Sequence, residues 1–175
     1  LNRSREAIQL MESWMQNPER TSFALHQTLG MLYLNELEFE SYEKHQLKGL
    51  ERYPNHSEIY QELATFYQGI QRPLEAHKLL LRLLSKQPEN ENLILQVVSL
   101  EQKIGLNNQA KQRILDTLEG NVPSEKMWQF WIELQLAQET SKDISADLIE
   151  MLGQFPESEW AGVKLAEIFR HDEKY

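Results

Sequence analysis

Apolar residues return along this chain at helical spacing. Ala7, Ile8, Met11, Trp14 and Met15 stand at i, i+1, i+4, i+7 and i+8 and share one face of a helix. Between residues 57 and 90 two stripes follow one another: Tyr60, Leu63, Ala64 and Tyr67, then Ala76, Leu80 and Leu83. Gly69, Gln71 and Pro73 lie between them as a turn signal. Pro88 stops the second helix, because it has no N–H to donate and its ring clashes with the turn before it. The pattern predicts a helical hairpin. Its first helix carries a large residue near the start and a large-then-small pair one turn on. Its second helix carries a small residue, Ala76, where the two backbones cross closely.

The hairpin recurs. Leu29, Leu63, Val97, Trp131 and Leu165 are each 34 residues apart, and Gly30, Ala64, Val98, Ile132 and Ala166 keep the same register. Tyr33, Tyr67, Glu101, Gln135 and Phe169 follow, the aromatic fading in the middle and returning. Pro54, Pro88 and Pro156 sit one and two periods apart, while Pro18 and Pro123 fall slightly off the ruler. One hairpin cannot bury its own apolar face, so neighbours must stack. The expected order is a partial repeat or capping helix over 1–18, hairpins at 22–55, 56–90, 91–124 and 125–158, and a truncated repeat over 159–175. The period never breaks by more than a residue or two, so a single domain over 1–175 is expected. Both ends read as cuts through helical pattern, and a fragment of a longer protein is expected.

Composition narrows the function. Glycine and proline are scarce, at 7 and 6 of 175 residues, which disfavours a β-rich fold. At 41% hydrophobic, the chain can build a packed core. The absence of cysteine removes disulfides, thiolate zinc sites, iron–sulfur clusters and a cysteine nucleophile. With a net charge of −9, broad binding to nucleic acid or to an anionic membrane is not expected, since Lys and Arg supply that affinity. No apolar run approaches the ~20 residues of a spanning helix, so no membrane insertion is expected. No signal peptide is visible; the cytoplasm is the favoured compartment, and the bacterial periplasm stays open.

The residues of the best unit, Tyr60, Leu63, Ala64, Tyr67, Ala76, Leu80 and Pro88, resemble the tetratricopeptide repeat, with its large-x2-Leu-Gly-x2-Tyr, Ala, aromatic, Ala, Pro pattern. In the preceding unit Leu29, Gly30, Tyr33 and Pro54 match, but His26 and Tyr42 depart from the large apolar and small residues. The next keeps Ile94, Val97 and Ala110 with Glu101 in place of the aromatic. The fourth has Trp128, Trp131 and Pro156, with Ile144 at the small position. The resemblance implies an all-α, right-handed α-solenoid of antiparallel helical hairpins, and the departures imply irregular packing, such as a bend.

Reactive chemistry is not evident. His26, His45, His56, His77 and His171 form no metal-ligand spacing, and there is no phosphate-cradling glycine loop and no nucleophile elbow. His26 reads as a packed histidine. The acidic clusters Glu36, Glu38, Glu40 and Glu43, and Glu157 and Glu159, read as a solvated face. No catalytic residue, cofactor or metal is expected, and the chain is not expected to be an enzyme. Lys78, Arg82 and Lys86 make a basic stripe too short for a nucleic-acid footprint. Met127–Glu133, with Trp128, Phe130 and Trp131, resembles the aromatic-rich first helix of half-a-tetratricopeptide RNA-processing scaffolds; the competing reading makes both tryptophans core knobs.

The resemblance also implies a groove lined by positions 2, 5, 9, 12 and 13 of each repeat. The candidate partner-binding residues there are Gln27, Met31, Leu34, Gln61, Thr65, Gln68, Leu95, Ser99, Gln102, Gln129 and Glu133. The groove is mostly uncharged and amide-rich. The Lys and Asn that grip a chaperone's C-terminal carboxylate at positions 5 and 9 are absent: Gln27 and Met31, Gln61 and Thr65, and Leu95 and Ser99 stand there. The expected function is a scaffold that binds a partner peptide or protein in the groove. The alternatives are a structural spacer or self-associating module of an assembly, or an RNA-processing scaffold.

Overall fold

A computed structural model describes residues 2–120, 123–137 and 144–172. They form ten α-helices and one 3₁₀ turn, with no strand among the described residues. The helices group into two compact units, Leu1–Lys86 and Gln87–Tyr175.

The first unit holds α1 (Asn2–Met15), a 3₁₀ turn at Pro18–Arg20, α2 (Phe23–Asn35), α3 (Phe39–Arg52), α4 (Ser57–Gly69) and α5 (Pro73–Leu84). Each helix packs on the next, and α4 and α5 make the closest crossing. Starts are set by local chemistry. The Ser22 hydroxyl accepts the Leu25 N–H at 3.1 Å, and Pro73 opens α5, where its missing N–H costs nothing. Ala64 and Ala76 are fully buried between α4 and α5, as a close crossing requires.

The α2–α3 hairpin solves the same problem differently. Tyr42 occupies the small position and is only 2% exposed. Gly30 faces it: a methyl group there would lie 3.6 Å from the Tyr42 ring. A methyl group there would make ordinary van der Waals contact with Tyr42, Gln46 and His45, and the departures at His26 and Tyr42 are packed solutions.

The second unit holds α6 (Glu91–Lys103), α7 (Asn107–Gly120), α8 (Glu125–Ala137), α9 (Ile144–Gln154) and α10 (Glu159–Asp172). Val97, Val98, Ala110, Ile114, Met127, Ile132, Leu148 and Met151 form its core. Glu101, which stands at the aromatic position, is fully buried and takes a bidentate ion pair from Arg113 on α7 (Nη2–Oε1 2.7 Å, Nε–Oε2 3.2 Å). Trp128 and Trp131 are core residues. Their indole N–H groups donate to Gln154 and Asp147 on α9. The turn over 138–143 lies outside the described residues.

Three hairpin turns share one device in the same register. Leu37, Gln71 and Gly105, spaced 34 apart, all take positive φ, at 60°, 60° and 80°. After each, a backbone N–H returns to the helix just ended: Glu38 to Tyr33, Arg72 to Tyr67 and Leu106 to Glu101, at 2.7–2.8 Å. This is the six-to-one bond of a Schellman cap, which satisfies an orphan carbonyl. Gly69, expected as part of the turn signal, is instead the last residue of α4, and Gln71 makes the turn.

Candidate functional site

The core-facing residues of α2 and α4 turn another face of each helix outward. On α2 this face carries Gln27 and Leu34, half-buried, and Met31, 60% exposed. On α4 it carries exposed Gln61 and Thr65 and half-buried Gln68. The starts of the two helices are held together by Phe23, whose ring stacks on His56 at 3.8 Å between centroids. Two mostly uncharged rows thus run from a common anchor within the first unit, with exposed Glu58 at the start of the α4 row.

In the second unit the corresponding helices are α6 and α8. Lys126 donates to the Asn92 side chain at 3.3 Å, joining equivalent positions one period apart. Ser99 and Gln102 are half-buried, Gln129 is half-buried and donates to Glu125 at 3.2 Å, and Glu133 is exposed. Leu95 departs from the expected groove set. It is 7% exposed and belongs to the core with Leu93 and Leu100, because a leucine on this crowded helix gains more from burial than from solvent.

A second feature was not expected. A cleft of about 750 Å³ opens between α1, α2 and α3, with Glu12, Leu29, Tyr33, His45, Lys48 and Arg52 among its walls. At its base the His26 and His45 rings stack at 3.9 Å. His26 Nε2–H donates to Gln46 Oε1 at 2.9 Å, and His45 Nε2–H donates to the His26 carbonyl at 2.9 Å. Gln46 passes the chain on, donating to the Tyr42 hydroxyl and to Glu62, both at 3.0 Å. Burial, reinforced by the neighbouring His45, lowers the His26 pKa from 6.5 to about 4. Burial also holds His45 below its ordinary value. Tyr33 donates to Glu12 at 2.6 Å, and burial together with that carboxylate raises its pKa.

These hydrogen bonds tie α2, α3 and α4 together through side chains. No group of three or more metal-ligating side chains is found among the described residues. The sequence signal that could have found the network was three polar residues, His26, His45 and Gln46, at positions that face helices. The acidic cluster also resolves: Glu43 is not merely solvated, since it accepts from the Tyr67 hydroxyl at 2.7 Å and from Arg72 at 3.0 Å. No described helix is long and apolar enough to cross a membrane.

Paired helices on a 34-residue period, with a left-handed turn residue held in register, define a tetratricopeptide-repeat fold. Solved structures agree on that fold. The chain is similar to a tetratricopeptide-repeat protein from Parabacteroides merdae (TM-score 0.62, 16% identity, 97% of this chain and 66% of that one). It is similar to YrrB, described as a TPR protein with an unusual peptide-binding site (TM-score 0.58, 13% identity, 99% and 85% covered). It is also similar to MamA (TM-score 0.57, 13% identity, 83% and 85% covered). Neither a family model nor a curated relative matches the sequence.

Proposed function

We propose that this chain is a protein-interaction scaffold that holds a peptide segment of a partner against its first-helix faces. The observation that carries this reading is the mostly uncharged pair of rows on α2 and α4, with Met31, Gln61 and Thr65 open to solvent. Glutamine and threonine side chains can bond a peptide backbone irrespective of its sequence, while methionine adapts to an apolar anchor. The peptide-binding site described for YrrB, which shares the fold, supports the reading. The rows hold no cation at the two positions that would clamp a C-terminal carboxylate, which argues for an internal segment.

The test is capture of partners from the native cell extract by wild-type protein and by Gln61→Ala/Thr65→Ala. Loss of a partner with an unchanged helical circular-dichroism spectrum is expected. Capture by the variant equal to wild type would count against these faces.

A further inference from the structure

The stripe Lys78, Arg82 and Lys86 on α5 has a counterpart one period earlier: Lys44, Lys48 and Arg52 on α3. Each set stands at i, i+4 and i+8, so each makes one line along a helix, roughly 12 Å long. All six side chains are exposed. Both ends of α5 are tied to the α3 region, so the two helices run alongside each other, the α3 line bordering the cleft toward α1 and α2. Arg72, just before α5, bonds Glu43 on α3, and Lys86 Nζ, just after α5, donates to the Pro54 carbonyl at 2.5 Å.

No described carboxylate lies within ion-pair distance of any of the six. Arg52 bonds the neutral Thr21 hydroxyl, and Arg82 and Lys86 lie over the Tyr60 ring at 5.6 and 5.5 Å. These contacts position the cations without a carboxylate in direct contact; Glu75, three residues before Lys78, feels that cation at longer range. Glu51 is the one acid that shares the α3 side of the cleft with Lys48. Arg72, outside the stripes, is by contrast bound by both Glu43 and Glu75.

The repeat itself does not require this. The equivalent positions on α7 are Gln112, Asp116 and Gly120. Residues 1–86 carry ten Lys and Arg against eleven Asp and Glu, whereas residues 87–175 carry eight against sixteen. Six of the first unit's ten cations therefore gather on its second helices, in a chain whose excess acid lies in the other unit.

We propose that this face, made by α3 and α5, docks an acidic, amphipathic segment of another protein, separately from the first-helix faces. Charge complementarity sets the acidic half of that chemistry. The apolar half comes from Leu47, beside Lys48, and Leu74, one turn before Lys78, which are 45% and 57% exposed. A nucleic-acid duplex offers phosphates but nothing for these leucines, and the chain's net charge of −9 opposes a long polyanion.

The probe is a fluorescein-labelled synthetic peptide alternating Glu and Leu at helical spacing, followed by anisotropy with the full chain. A matching peptide with Gln for Glu and a labelled DNA duplex serve as comparators. Binding of the acidic peptide should weaken roughly tenfold or more in Lys48→Glu/Arg82→Glu, and should be unaffected by Gln61→Ala/Thr65→Ala. Lys44→Gln/Lys78→Gln, a milder change at exposed positions, should show the same direction if the reversal variant misfolds. The proposal is overturned if the acidic peptide does not bind, if the Gln peptide binds equally, or if both basic-face variants bind as wild type does. Equal or tighter binding of the DNA duplex, lost in the same variants, would overturn the commitment to a protein partner.

Discussion

The His26 imidazole fills the space that a side chain at position 49 would need. A methyl group on Gly49 would approach His26 Nε2 and Cε1 well inside the 3.0 Å that real side chains respect. This pairing of a buried histidine on α2 with a glycine on α3 lets a polar ring occupy a position where the repeat pattern has a large apolar residue.

Gly49→Ala should therefore destabilise the protein by about 1–3 kcal/mol, against the ~1 kcal/mol that helix propensity alone would add. Gly162→Ala supplies the contrast, because it sits in α10 with nothing within 4 Å. It should stabilise by about 0.5–1 kcal/mol. Thermal denaturation of both variants measures the two signs, and a stabilising Gly49→Ala would remove the proposed steric role of His26.

Acid should weaken the first unit before ordinary carboxylates titrate. His26 is held neutral down to about pH 4, while the unfolded chain takes up its proton near 6.5. The unfolded state thus binds more protons between those values, so stability is intact above pH 6.5 and falls as pH drops. The loss from His26 should reach about 2 kcal/mol by pH ~5. Urea midpoints measured from pH 7 to 5 should fall more steeply for wild type than for His26→Leu, and parallel curves would exclude the histidine as the cause.

Breaking the ion pair beneath α6 and α7 should be costly. Arg113→Ala leaves the fully buried Glu101 without its bidentate partner, and should destabilise by about 2–4 kcal/mol. Glu101→Leu/Arg113→Leu, which removes both charges, should recover much of that loss. Chemical denaturation of the single and double variants distinguishes a paired charge from simple packing.

The turn residues make a backbone prediction. Gln71 holds a φ of 60° without being glycine, so Gln71→Gly should stabilise the α4–α5 hairpin by about 0.5–1 kcal/mol. Gly105→Ala, at a φ of 80°, should cost about 1 kcal/mol. Melting temperatures should move in opposite directions, by about 2–4 °C per kcal/mol.

Ala76→Leu addresses the closest helix crossing. The residue has no exposed surface, and added bulk should separate α4 from α5 at a cost of about 1–3 kcal/mol. An unchanged melting temperature would mean that the crossing is looser than the structure shows.

The fold was legible in the chain because an α-helix is built from local hydrogen bonds, so its buried face repeats at fixed sequence spacing. Leu63 and Ala64, Val97 and Val98, and the 34-residue ruler that joins them needed no coordinates to be recognised. The neutral character of Gln61 and Thr65 was legible for the same reason: register alone assigns them to the side of the helix away from the core.

Tertiary structure decided what depends on partners distant in sequence. The closed network of His26, His45 and Gln46, the glycine beneath it, and the burial of Glu101 against Arg113 arise where two helices meet, and no periodicity encodes which polar groups find each other there. Leu95 shows the same limit, since a groove register says where a side chain points and not how closely the neighbours crowd it. The two basic stripes were both written in the sequence at the 34-residue spacing. The contacts from Arg72 to Glu43 and from Lys86 to Pro54, which set α5 alongside α3, were not.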